Sequence, residues 1–495
     1  MTVLPRDGAD TIPATMAELR LTRLTASQAA LLRAVAAAAR GVEVALVGGA
    51  VRDLLLGRAS ARAADLDVAV PAGAVALARR VAARTGGAFV ALDEARGTAR
   101  VALAGARVDL ADFRAPTLAG DLAARDYTVD ALAVPLGPLL ARGRAPVLDP
   151  TGGLADLRAR RLRPAGPGVL DADPLRALRG VRLEAALGFR LTPPAARAVR
   201  AAAPGLASVS AERVRDELLL LLALAESARA LRRADALGLL AAVLPEVEPM
   251  RRTPQPAPHR FDVLEHSLRA VGGADVVVAR AAALAPLGEE LAAHLAAPLG
   301  GGVTRGQALK LAALLHDVAK PQTRRAAGGR VRFFGHDVEG ARRSREIGER
   351  LRLPGAVTGL VERLVRHHLR PMHLAAAGEV TARARYRFYR DLGPDTRDLL
   401  LLALVDAAAV RGGSPLALWP RAALVRDLLG GWEAQRLAQA APPLVRGEDV
   451  MERFDLAPGP AVGRLLRRAR EAQDLGLVRT REEALAYLDS SAGDS

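Results

Sequence analysis

Two acids one residue apart, Asp65 and Asp67, are the first residues with chemistry in reach. On a strand, residues i and i+2 share a face, so the two carboxylates stand side by side. So placed they repel each other unless a cation lies between them, and Mg²⁺ prefers carboxylate oxygens and substrate phosphates. Asp109, on a later strand, brings a third carboxylate. Metal ions held this way activate an attacking hydroxyl and stabilise a leaving pyrophosphate. Upstream, Gly48-Gly49 and then Arg52-Asp53 lead from a strand into a helix. Glycines there let a phosphate approach the backbone amides, and the helix N-terminus favours its charge. Each signal alone is common, since a glycine pair is often only a tight turn and an acidic pair only a solvated strand end. In this order they describe a nucleotide site. The glycine–lysine motif of a P-loop is absent from the sequence.

A second group is built on histidine. All eight histidines lie at or beyond His259. His316-Asp317 sits on an apolar helix, with His266 upstream and Asp406 far downstream. Imidazole and carboxylate together suit Mn, Fe, Ni or Mg. His336 and His367 would add a second metal or bind phosphate, and Lys320 would neutralise one. The competing reading is a degenerate site kept as scaffold.

Apolar patterning supplies the elements that must position these groups. Strands are expected at Val42–Val47, Leu66–Val70, Ala99–Leu103 and Arg107–Asp112, with helices at Ala50–Leu56 and Ala74–Arg84. Beyond Asp171 strand signals vanish. Pro174–Leu187, Pro194–Ala202 and Ala211–Ala225 are amphipathic helices, and prolines at 254, 256 and 258 separate them from a second helical block. The reading is an α+β chain: a leader at 1–24, an α/β head at 25–150, an all-α neck and body at 151–252, a helical domain at 259–411 and a helical tail at 412–495.

Composition bounds the partners. Lys and Arg number 70 against 54 Asp and Glu, a formal charge of +16 that attracts polyanions, nucleic acid above all. Codon bias toward Arg is the plain alternative. Arg464, Arg467 and Arg468 make a basic helix suited to an RNA backbone. There is no cysteine, which excludes disulfides, thiolate catalysis and cysteine-bound zinc. No run approaches the ~18 apolar residues of a membrane span, and Met1–Leu21 has no signal-peptide core. A cytoplasmic protein with no membrane and no protein partner is expected.

The stretch from Gly48 to Gly57, followed by Asp65-Leu66-Asp67, resembles the signature of the bacterial tRNA nucleotidyltransferase and poly(A) polymerase family. Arg125-Asp126-Tyr127-Thr128-Val129-Asp130-Ala131-Leu132-Ala133 is similar to its RRDFTINALA element. Asp149-Pro150-Thr151-Gly152-Gly153 with Asp156-Leu157 matches its DPxGGxxDL turn. Asp173 to Arg179 resembles the EDxxR helix, and Glu212-Arg213-Val214 with Glu217-Leu218 the ERxxxEL helix. The resemblance implies a DNA polymerase beta-like head that adds C and A to the 3′ end of tRNA from CTP and ATP. It implies that Asp65 and Asp67 hold Mg²⁺, with Asp109 as a further catalytic acid. Gly48, Gly49, Arg52 and Asp53 would attend the triphosphate, and Arg125, Asp126 and Asp130 the sugar. Asp173, Arg176 and Arg179 would attend the base, since i,i+3 spacing puts Asp173 and Arg176 on one helical face with acceptors and donors for a Watson–Crick edge. His266, His316, Asp317 and Asp406 resemble the metal ligands of the HD superfamily, associated with phosphohydrolase activity.

Three positions depart from the pattern: Ala172 stands for Glu, Asp130 for Asn, and Ala124 for the first Arg of RRDFTINALA. The segment Ala115–Gly120 is short where many relatives carry a flexible loop tied to the switch from C to A, which resembles enzymes that add CC only. A poly(A) polymerase, and an HD phosphohydrolase with a nucleotide-binding head, are the rival readings.

Overall fold

The computed structural model describes residues 18–58, 65–327 and 330–490. They belong to two compact units, one spanning Met1–Ser210 with Arg233–Val243 and the other Ala211–Arg232 with Leu244–Ser495.

The first unit is built on a six-stranded sheet. In spatial order its strands are Ala88–Asp93, Thr98–Leu103, Ala106–Asp112, Asp65–Val70, Ala45–Val47 and Ala133–Pro135. Only Asp65–Val70 and Ala106–Asp112 run parallel. The middle strands bury residues of both faces, which is why their sequences read as apolar runs. On one face Ala45, Val47 and Ala69 pack against Leu118 and Leu122 of the helix Leu118–Ala123. Helices Ala26–Ala39 and Ala74–Thr85 pack against the hairpin strands Thr98–Leu103 and Ala106–Asp112. Thr25 and Gln28 close a capping box at the start of the first of these helices.

Three of the elements that escaped the sequence reading show why. The helix Ala26–Ala39 is rich in alanine and weakly patterned. Strand Ala88–Asp93 lies on the sheet edge with Val90 and Leu92 exposed, so it lacks the buried-run signature. Strand Ala133–Pro135 has only three residues. The expected leader is corrected in part. Residues 1–17 lie outside the described ones, but Glu18–Arg20 forms a ladder with Arg144–Pro146 because Leu19 is buried.

The second unit is helical. Its centre is the helix Arg305–Leu315, apolar all round and buried from Ala308 to Leu315, as a helix enclosed by others must be. Val263–Arg280, Gly355–His367 and Thr396–Ala409 pack against it. Lys310 is the polar exception. Its ammonium donates to the Leu222 and Leu224 carbonyls at 3.0 and 2.7 Å and lies 2.8 Å from Asp275. Asp275 in turn accepts from Ser227 Oγ and the Ala228 amide, so the buried charge is fully compensated. Strand pairing does not vanish after Asp171: Pro298–Gly300 and Val303–Thr304 form a hairpin, closed by Gly301 and Gly302 in the left-handed region. A second pairing joins Arg325–Ala327 to Arg330–Arg332. The tail helices Gly447–Phe454, Pro460–Asp474 and Arg481–Ser490 bury their own core around Val450, Val462, Ala472 and Leu488.

Candidate functional site

Parallel register sets Asp67 directly beside Asp109. Asp65, two residues before Asp67, is paired with Arg107 on the same strand; its side chain is outside the described ones. The hairpin turn at Ala104-Gly105 sets Arg100 opposite Asp109, and the guanidinium grips that carboxylate with both arms at 2.7 and 2.8 Å. Asp109 is therefore compensated and Asp67 is not. Burial raises the Asp67 pKa to about 6; the Arg125 guanidinium draws it down, while the Asp109 and Asp130 carboxylates push it up. A half-buried carboxylate with too much negative charge around it is a fit for a divalent cation.

Gly48 makes this approach feasible. Its φ is 75°, and a Cβ there would lie 2.9 Å from Arg125 Nη1 and 3.3 Å from Asp67 Oδ2. The glycine pair thus keeps space over Asp67 and delivers the chain into the helix Gly49–Leu55. Arg52 does not point freely at that space. It is buried, donates to Asp53 at 2.8 and 3.1 Å, and forms an ion pair with Asp130. Asp130, raised by burial and then drawn down by Arg52, uses its carboxylate to hold that arginine. The Asn-to-Asp departure is thereby matched by a buried countercharge.

Behind the turn, Asp121 accepts from Arg125 at 3.0 Å and from the Arg114 amide at 3.1 Å. Asp126 pairs with Arg176 at 2.8 Å and also with Arg179. Arg176 Nη1 further donates to the carbonyls of Ala124 and Val169, and the Asp173 carboxylate lies 3.8 Å from its Nε. Tyr127 crosses under the helix Leu175–Leu187 to donate to the Arg176 carbonyl at 3.0 Å. It fits only because residue 180 is glycine: a Cβ there would lie 1.8 Å from the phenolic oxygen. Asp149 and Asp156 are structural. Asp149 caps Gly153 and Leu154, and buried Asp156 accepts from Thr128 and Arg163 at 2.7 Å each.

The second unit gathers its histidines. His266, His316 and Asp406 bring ligand atoms together, and so do Asp317, His336 and His368, each trio within 4.8 Å. Asp317 is common to both neighbourhoods. Its Oδ2 lies 3.2 Å from His316 and 3.5 Å from His266, its Oδ1 3.4 Å from His336 and 3.7 Å from His368. The Nδ1 atoms of His316, His336 and His368 sit 2.9, 2.6 and 2.6 Å from the carbonyls of Ala313, Phe333 and Val365. An Nδ1–H donating there leaves the Nε2 lone pair for a metal. Both Asp317 oxygens are buried without a well-formed hydrogen bond, although Lys320 Nζ is 2.7 Å from Oδ2. Burial alone would discharge His316, yet the Asp317 and Asp406 carboxylates push its pKa up to about 10. Burial and the His316 charge lower His368 to about 4.

His368, not His367, stands with His336. His368 continues the buried stripe Val361, Leu364, Val365, whereas His367 lies one residue round the helix and is half-exposed. That stripe was legible, and so was Arg100, from the register of a two-residue turn at Ala104-Gly105. In the tail, Arg464 and Arg467 are exposed, and Arg468 lies 5.9 Å from the Tyr487 ring centroid.

Three family models match: the poly A polymerase head domain over residues 44–163, a probable RNA-binding site of polymerase A over 188–251, and the HD domain over 277–410. An A-adding tRNA nucleotidyltransferase of Deinococcus radiodurans is 38% identical over 91% of this chain and 96% of its own. A CC-adding tRNA nucleotidyltransferase of Thermus thermophilus is also 38% identical, over 89% and 92%. The solved apo structure of a CCA-adding enzyme shares the fold, with a TM-score of 0.64 at 21% identity, covering 95% of this chain and 96% of the other.

Proposed function

The chain belongs to the tRNA nucleotidyltransferase family, and from that premise we propose that it adds cytidine and adenosine to the 3′ end of tRNA, without a template, from CTP and ATP. The observation that carries the reading is Asp67: a half-buried, under-compensated carboxylate beside Asp109, under a glycine turn that keeps its oxygen accessible. Asp65 and Asp67 would hold Mg²⁺. When bound, the ion supplies charge for the phosphoryl oxygens and acidity for the attacking hydroxyl. The 3′-hydroxyl gives up its proton to solvent as its oxygen bonds to the α-phosphorus, the bond from that phosphorus to the bridging oxygen breaks, and pyrophosphate leaves with its electron pair. Arg125, beside Gly48 and fixed by Asp121, orients the nucleotide. Arg52 acts from behind, holding Asp53 and Asp130 in place. Asp173 and Arg176 would face the base, with Arg176 positioned by Asp126 and by the Ala124 and Val169 carbonyls. Arg464 and Arg467 would meet the RNA backbone.

How far addition proceeds is the finer question. Ala115–Gly120 is no free loop, since Thr117 caps the helix Leu118–Ala123 through the Gly120 amide. A clamped segment supports partial rather than complete addition. The purified chain would be given Mg²⁺ with tRNA ending at the discriminator base, in C, or in CC, and CTP and ATP separately or together. Arrest at CC supports CC addition, reaction of tRNA-CC with ATP alone supports A addition, and completion to CCA refutes the loop argument. No incorporation on any tRNA would sink the tRNA reading. Incorporation of ATP on any RNA end would favour a poly(A) polymerase.

A specific observation favours a second activity. The two trios, with Asp317 of the second lying close to the histidines of the first, would hold one or two divalent ions (Mn, Fe, Ni or Mg), whose chemistry is phosphate-ester hydrolysis. Asp67→Ala removes incorporation and spares hydrolysis if the two centres work separately. A tRNA substrate would place the chain in the cytoplasm, and the cysteine-free composition is silent on the redox compartment. No helix among the described residues is long and apolar enough to cross a membrane.

A further inference from the structure

Next to the histidine–aspartate centre lies a cavity of about 300 Å³. Its polar lining is Arg251, Arg252, Gln255, His259, Arg260 and Asp262. Two contacts tie it to the centre. The His259 ring stands 5.2 Å from the His266 ring, edge to face. Gln255 accepts from Lys320 at 2.7 Å, and the same ammonium sits 2.7 Å from Asp317.

The charges in this cavity are unevenly spent. Asp262 caps the helix Val263–Arg280 by accepting from the Glu265 amide at 2.8 Å. Arg251 donates to Glu248 at 3.2 Å. Arg252 and Arg260 are exposed, and among the described residues their side chains have no hydrogen-bond or ion-pair partner. His259 is half-buried with its Nδ1 enclosed and without a partner. Two unspent guanidiniums and an orphaned ring nitrogen converge where a ligand would meet the metal ligands. Guanidinium offers paired donors that match the oxygens of a phosphoryl group.

We infer that this cavity is the phosphate subsite of the second unit's centre, taking the phosphoryl group of a phosphate ester and holding it beside Asp317. The inference rests on the metal-site reading above. Arg252 and Arg260 are binding residues, and His259 offers its ring nitrogen to the same group.

The test is calorimetric titration of the full chain with inorganic phosphate, both Mn²⁺-loaded and after EDTA treatment, with metal content measured by mass spectrometry. Phosphate bound by the nucleotidyltransferase head is common to every variant and cancels in the comparison. Arg252→Ala with Arg260→Ala is expected to weaken phosphate about tenfold or more at unchanged metal content, and the double Lys variant to recover part of that loss. Acetate should bind more weakly throughout. Equal phosphate affinity in the wild type and the double Ala variant would overturn the inference. A chain that takes up no Mn²⁺ would overturn the metal reading instead, and the EDTA-treated comparison would still decide the arginines.

Discussion

Asp67 concentrates the chemistry of the first unit into one carboxylate. Arg100 occupies Asp109 with a two-armed grip, and Arg52 occupies Asp53 and Asp130, which makes Asp67 the proposed cation ligand of this group. Replacing Asp67 by Asn keeps the shape and removes the charge. Nucleotide incorporation should fall at least about a thousandfold, with thermal stability little changed, as a primer-extension gel and a melting curve would show. Gly48→Ala tests the space over that carboxylate. A Cβ 2.9 Å from Arg125 Nη1, on a residue with φ of 75°, displaces the arginine or the turn. A loss of about a hundredfold in kcat/KM is expected; full activity would show that Arg125 does not depend on the glycine. Asp65 and Asp67, the glycine pair and the His-Asp step could be picked out as candidates, because their spacing is local. Arg52 tied to Asp130 was not, since nothing in a linear sequence brings residues so far apart together.

At the scale of elements, the helices are fixed by a few close fits rather than by propensity. Gly180 lets Tyr127 run under the helix Leu175–Leu187, so Gly180→Ala should cost about 1–3 kcal/mol of stability and disturb Arg176 with it, measured by urea unfolding. Asp275 is the countercharge of buried Lys310 and the cap of the helix Ser227–Ala236. Asp275→Ala strands an ammonium in the interior and should cost about 3–5 kcal/mol. A loss below about 1 kcal/mol would mean that the Leu222 and Leu224 carbonyls suffice. The central helices and strands were readable from periodicity, because burial imposes it. The edge strand Ala88–Asp93 and the alanine-rich helix Ala26–Ala39 were not, because partial burial and small side chains blur it.

Across the whole molecule, two candidate ligand sets of different chemistry are divided between two units. The first offers carboxylates, hard oxygen donors for Mg²⁺; the second mixes imidazole with carboxylate, a set that takes softer ions. After EDTA treatment, Mg²⁺ should restore incorporation, while Mn²⁺ or Ni²⁺ should remain on the chain through desalting at a stoichiometry that falls when His316 is replaced. The net charge of +16 makes a further forecast. tRNA affinity should fall steeply and linearly on a log–log plot against salt, in proportion to the phosphates neutralised, and Arg464→Ala with Arg467→Ala should reduce that slope.

By itself, the sequence determined the classes of chemistry, because a DxD step, a glycine turn and a histidine–aspartate step act through neighbours along the chain. It also determined the helical character beyond Asp171 and the basic charge. The tertiary structure alone decided which charges are already spent. Strand register gave Asp109 to Arg100, packing gave Arg52 to Asp130, and one residue's rotation round a helix chose His368 over His367. Compensation of a charge depends on distances through space, and those exist only once the chain has folded.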